Sequence, residues 1–304
     1  MRFHISFDSS SRTPWVAGAI VLVIACILAP ELVAQQQGVL DSAQDFYRQT
    51  TRSWLAPISA IARRLFVTLA AIEISISGMV WAVRRDSLDE IAAKFLFKFI
   101  ILSFVLLLIT GAGFWLRPLV NSLAAAGSVA GVVPVPAGPS EIVDLGIRVA
   151  FANLDLSNLP IAFSSFATIA LFILSRLAVL VAFISVAALL VLAWVESYVA
   201  LAGGVLFLGF GGFRATAQYA ENYLNYLVYL GVRLFVFYLL LSVGTTIIAT
   251  YVPASLRVTT PQEMAQVVAI SVIFAVLVLR IPSNMAGRVA SGGSFGIAQA
   301  LRSL

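Results

Sequence analysis

Between Ile161 and Thr250 the chain carries five charged side chains: Arg176, Glu196, Arg214, Glu221 and Arg233. A long apolar run enters this stretch, breaks at GGVLFLGFGGFR (Gly203 to Arg214), and resumes as a second apolar run. Helices that are apolar on every side hide their surface in lipid rather than in water. The pattern therefore predicts membrane-spanning helices on both sides of a glycine-rich interruption. A plain anchor has no use for such an interruption, so function is expected there.

The rest of the chain agrees. Hydrophobic residues make up 61% of it and charged residues 11%, where a soluble domain carries about 25% charged residues. This composition predicts an all-α polytopic membrane protein. The formal net charge of +5 comes from arginines spread singly or in pairs, with no basic patch interleaved with aromatic residues. Sequence-specific nucleic-acid binding is not expected from it; orientation in a bilayer, positive residues inside, is. One cysteine, Cys26, and one histidine, His4, leave no disulfide, no zinc site and no Cys–His or Ser–His–Asp constellation to build. No catalytic residues, metal ligands or cofactor are expected, and the chain is not read as an enzyme.

Residues 1–34 run from basic (Arg2, Arg12) through apolar (Trp15 to Ala29) to PELVA, the order of a signal peptide with a cut after Ala34. The other reading is an uncleaved signal anchor; both leave residue 35 outside the cytoplasm. Residues 35–64 form a periplasmic segment, its polar part (Gly38 to Trp54) lying as a surface helix with Trp54 near the headgroups. The transmembrane domain covers 65–282. Its five spans are centred on Leu65 to Val83, Phe95 to Leu116, Phe166 to Leu192, Leu227 to Ala249 and Met264 to Leu279. Arg84, Arg85, Lys94 and Lys98 mark the first loop as cytoplasmic. An outer loop, 117–160, holds a Pro- and Gly-rich connector and a short helix from Ser140 to Ala152. The tail, 283–304, is held inside by Arg288 and Arg302. Arg63 and Arg64 stand against this scheme, on the outer side of the first span.

In the interruption, Gly203, Gly204, Gly209, Gly211 and Gly212, with Phe210 and Arg214, let another backbone come close. Two readings stay open: a half-inserted bend buried among helices, or a helical kink with tight packing. Beyond it Tyr219, Tyr223 and Tyr226 share one helical face, either an interfacial belt or a polar subunit seam. Glu73, Arg176 and Arg233 lie within spans. A charge facing lipid at mid-bilayer costs about 2.5–3.5 kcal/mol on insertion scales, so they are expected to face protein or water. Depth and sign suggest Glu73 with Arg176, and Glu196 with Arg214 or Arg233. Such pairs either fix helix packing or line a translocation path.

LFLGFGGFRATAQYAENYLNYLVYLGVRLF (Leu206 to Phe235) resembles the core signature of the TrbL family, polytopic inner-membrane subunits of type IV secretion and conjugation machines. QGVLDSAQDFYRQTTRSW, RRLFVTLAAIEI and LRIPSNMAG carry the resemblance from about Gln37 to Gly292. It implies a structural and conduit component supporting pilus and stalk assembly, built as a ring-like homo-oligomer in the bacterial inner membrane. The implied partners are the pilin, the minor tip subunit and cytoplasmic ATPases, with protein or relaxase-linked DNA as transient cargo. The rival reading is a secondary transporter or channel for a small solute, since broken helices beside buried charges are also features of transporters.

Overall fold

The computed structural model describes residues 38–84, 87–130, 138–151, 166–251 and 261–293, together with 296, 297 and 299. The signal segment 1–34 lies outside the described residues. All regular elements among them are helical: α1 (Val39–Arg84), α2 (Leu88–Thr110), α3 (Ala112–Val129), α4 (Pro139–Phe151), α5 (Phe166–Gly203), α6 (Val205–Leu208), α7 (Ala217–Tyr251) and α8 (Pro261–Ser291), with a 3₁₀ turn at Gly209–Gly212 between α6 and α7. Five of these helices are long and apolar enough to cross a membrane: α1, α2, α5, α7 and α8. The expected number of spans and the all-α class are those observed.

Helix lengths differ from the expectation in an informative way. With 46 residues, α1 rises about 69 Å at 1.5 Å per residue, against about 30 Å of hydrocarbon. The polar stretch Gly38 to Trp54 is therefore no separate surface helix; from Val39 it is the first part of α1, which continues through Pro57. A proline removes one backbone donor without ending a helix whose neighbours hold it. α2 starts where Ser87 caps it, its hydroxyl oxygen accepting the Glu90 backbone N–H, with Asp89 and Glu90 in the first turn. Gly111 ends it, with its N–H on the Leu107 carbonyl. The chain then continues as α3, so Arg117 to Val129, expected as loop, is helical. Its apolar side (Leu116, Val120, Ala124) is buried, and Gly127 lies on the backbone of Phe235 in α7. The expected short helix after Ser140 is α4.

α5 and α7 run antiparallel, pairing Ala200 with Tyr223, Glu196 with Tyr226, and Trp194 with Tyr238. α8 closes the bundle: Phe274 lies over Gly244 and against the Phe183 ring, 6.1 Å between centroids. One contact rearranges the expected layout. Gln44 Nε2 donates to Tyr198 Oη at 3.1 Å, which sets the start of α1 beside the end of α5. The sequence reading put those two ends on opposite sides of the bilayer; the contact brings them to one level.

Candidate functional site: a charge cluster beneath the glycine-rich turn

The interruption between α5 and α7 is a built turn. After Gly203 come one turn of α6, the 3₁₀ turn at Gly209–Gly212, and a bend through Thr216, whose hydroxyl donates to the Phe210 carbonyl at 2.8 Å. This segment lies directly on the backbone of α1. A Cβ on Gly209 would stand 2.8 Å from the Ala62 carbonyl oxygen, and one on Gly212 would stand 2.6 Å from that of Phe66. Only a residue without a side chain permits both approaches. Gly211 faces Val105 of α2, so the turn fills the angle between the first two spans.

Glu73 fastens it there. Its side chain is 0% exposed. One carboxylate oxygen accepts Lys98 Nζ at 2.7 Å and the Ser77 hydroxyl at 3.3 Å. The other accepts the Arg214 backbone N–H at 3.1 Å and lies 3.8 Å from Arg214 Nε. Lys98, 2% exposed, also donates to the Ser77 hydroxyl oxygen, and its ammonium stands 5.6 Å from the Trp81 ring centroid. Two buried charges thus neutralise each other, and their remaining hydrogen-bonding capacity is met by Ser77 and by the turn. Because each ion would be far costlier alone, the arrangement holds α1, α2 and the turn as one unit.

Lys98 was expected in a cytoplasmic loop and Glu73 was expected to meet Arg176; the structure does neither. Arg176 belongs to a different neighbourhood. It donates from Nη1 to the Ala150 carbonyl and stacks over Phe172, 4.6 Å from the ring centroid. Ala150 is in the last turn of α4, where carbonyls lack helical partners and the helix dipole is negative. Arg176 therefore caps α4. Glu196, of its two expected partners, meets Arg233 in an ion pair, and it accepts the Tyr226 hydroxyl at 2.7 Å.

The tyrosines divide. Tyr223 is buried and donates to the Ala200 carbonyl at 3.1 Å. Its ring occupies the space that a side chain on Gly204 would need. Tyr219 and Tyr226 are exposed. Together with Val199, Gly203, Phe207 and Asn222 these residues line an open, apolar groove of about 430 Å³. Phe210 packs against Tyr219, 5.6 Å between centroids. Among the described residues no cluster of His, Cys, Asp or Glu is placed to hold a metal. The arrangement contains ion pairs, hydroxyls and aromatic faces that hold helices together and shape a surface.

Sequence reasoning missed Lys98, Ser77 and Trp81. A signal was available: Glu73 and Lys98 are equally far from the short turn joining their helices, and an antiparallel helical hairpin brings such positions to one level.

Long apolar helices, a glycine-paved turn and charges neutralised in the interior define a multi-pass helical membrane protein, assembled around a reversal of the chain. Within that class, residues 70–281 match the family described as TrbL/VirB6 plasmid conjugal transfer protein, and the chain belongs to that family. It is 28% identical over 270 residues to "Probable conjugal transfer protein TrbL" of Sinorhizobium fredii (strain NBRC 101917 / NGR234), covering 88% of this chain and 68% of that one. It is 29% identical over 294 residues to "Conjugal transfer protein TrbL" of Rhizobium radiobacter, covering 95% of this chain and 73% of that one. The chain is thus a conjugal-transfer, type IV secretion membrane component. Glu73, Lys98 and Arg214 all fall inside the matched stretch.

Proposed function

We propose that this protein is a structural and conduit component of the bacterial inner membrane, supporting pilus and stalk assembly and the outward passage of substrate in conjugation. The observation that carries the reading is the family match across the whole charge cluster and glycine-rich turn. The physical support is that the buried charges close upon one another and serve to lock helices, as a scaffold requires. In this reading the chain forms a ring-like homo-oligomer and meets the pilin, the minor tip subunit and the cytoplasmic ATPases. Protein or relaxase-linked DNA passes it transiently.

The orientation belongs to the same proposal: mature N-terminus periplasmic, C-terminus cytoplasmic. Its support is the basic character of the α1–α2 turn and of the end of α8. Thiol labelling from outside, of single cysteines at Gly38 and at Ser291, tests it.

Deletion of the gene, complemented by variants, tests the role. Transfer is expected to fall to background on deletion while growth on any single solute is unchanged. Solute uptake by the purified chain in liposomes, with normal transfer in the deletion strain, would instead establish the transporter reading.

A further inference from the structure

A second concentration of charge lies where α1 passes α3. Leu55 packs on Gly113, where a Cβ would stand 3.1 Å from Leu55 Cδ2. Arg52 precedes Leu55 by three residues and Arg117 follows Gly113 by four, so each lies about one helical turn from this contact. Arg117 titrates below the ordinary guanidinium range, first because it is partly buried and second because Arg52 stands close to it. Among the described residues no carboxylate lies within ion-pair distance of either arginine. Arg48, one turn earlier on α1, differs: Asp45 meets it at 2.9 Å. The fold therefore brings two cations together and leaves their charge unanswered among the described residues.

The surroundings identify what answers it. Trp54, Phe114 and Trp115 are 42%, 72% and 51% exposed. Tryptophans in a membrane protein concentrate at the headgroup level. From Leu88, beside the basic α1–α2 turn, to Thr110 α2 rises about 33 Å at helical pitch, close to the thickness of the hydrocarbon core, about 30 Å, and Trp115 follows just beyond its end. The arginine pair thus stands about one hydrocarbon thickness from the turn, at the level of these exposed aromatic residues. An acidic protein surface would need no aromatic belt at this level.

We propose that Arg52 and Arg117 together bind the phosphate of an anionic phospholipid at the membrane surface. Two guanidinium forks offer paired, planar donors to phosphate oxygens. Trp54 and Trp115, exposed on other faces of the same helical turns, lie at the level of the lipid's glycerol and upper acyl region.

The test uses the full chain purified in detergent, with affinity read by native mass spectrometry and by thermal shift. The probes are dioleoylphosphatidylglycerol, dioleoylphosphatidylcholine and inorganic phosphate. Phosphatidylglycerol is expected to bind and raise the unfolding temperature, with the other two having little effect. Arg52→Gln/Arg117→Gln should weaken phosphatidylglycerol about 30-fold, while Arg48→Gln leaves it unchanged. Should the double variant fail to fold, Arg117→Gln alone should weaken it about fivefold. Undiminished binding by either variant would overturn the proposal, as would equal binding of phosphatidylcholine. Equal stabilisation by inorganic phosphate would show a free-anion site and overturn the lipid assignment.

Discussion

Glu73 and Lys98 stand equally far from the turn between α1 and α2, and the hairpin closes them to 2.7 Å at a place where both are buried. The same carboxylate receives the Arg214 backbone N–H. One acidic side chain therefore connects the first two spans to the glycine-rich turn that joins the third and fourth.

Removing one member of the pair leaves a buried charge unmatched. Glu73→Gln or Lys98→Met should each destabilise the protein by about 3–5 kcal/mol. Changing both removes the mismatch, so the double variant should recover most of that loss. Unfolding in detergent, followed by protease resistance across the four proteins of the cycle, measures the coupling. Losses that simply add would dissolve the pair.

Arg176 is predicted to be energetically independent of Glu73. Arg176→Gln removes the cap on α4 and should cost about 0.5–2 kcal/mol. Combined with Glu73→Gln, the two effects should add to within about 0.5 kcal/mol. The same protease assay checks this, and a marked positive coupling would return the two charges to a shared site.

Gly209 and Gly212 are predicted to reject any side chain. Alanine at either meets backbone of α1 that has no rotamer to yield, and overpacking of this kind costs about 1–3 kcal/mol. Nothing lies within 4 Å of the corresponding point on Gly203, so Gly203→Ala is expected to be neutral or slightly stabilising. Expression level and unfolding temperature of the three variants decide the ordering.

At the groove, Tyr226→Phe deletes one hydrogen bond to Glu196 and should cost about 0.5–1.5 kcal/mol. Arg233→Gln leaves Glu196 without its ion partner in a half-buried position and is expected to cost more. Conjugation frequency measured beside protein abundance separates a surface role from stability. If the groove is a subunit seam, Tyr219→Ala and Tyr226→Ala lower transfer at normal abundance.

Much of the architecture was legible because it depends on average properties. Five apolar runs of sufficient length give five helices able to cross a membrane, and no detail of packing is needed to count them. Individual partners were less legible. The carboxylate of Glu73 takes a lysine that the sequence placed in a loop, because α2 begins at Leu88 and carries Lys98 ten residues along it, inside the hairpin. Arg117 to Val129 read as connector because Pro118 lies near its start, yet a proline in the second turn of a packed helix is tolerated. The third span read as ending near Leu192, whereas α5 continues to Gly203 and meets Gln44 through Tyr198. Contacts between elements depend on axial offset, and periodicity along one helix carries no information on that.

The fold depends most on the glycine-rich turn lying on α1. The Cβ of Leu69 lies 3.3 Å from the point where a Cβ on Gly212 would stand, so a short photoreactive side chain at position 69 reaches the turn while Gly212 stays a glycine. A diazirine amino acid is incorporated at position 69 and photolysed in native membranes. The predicted result is an intrachain cross-link from residue 69 into Gly209–Arg214, recovered by mass spectrometry, whose yield falls when Glu73→Gln is added. Cross-links from residue 69 to lipid and to other helices, with none into the turn, would show that the turn lies elsewhere.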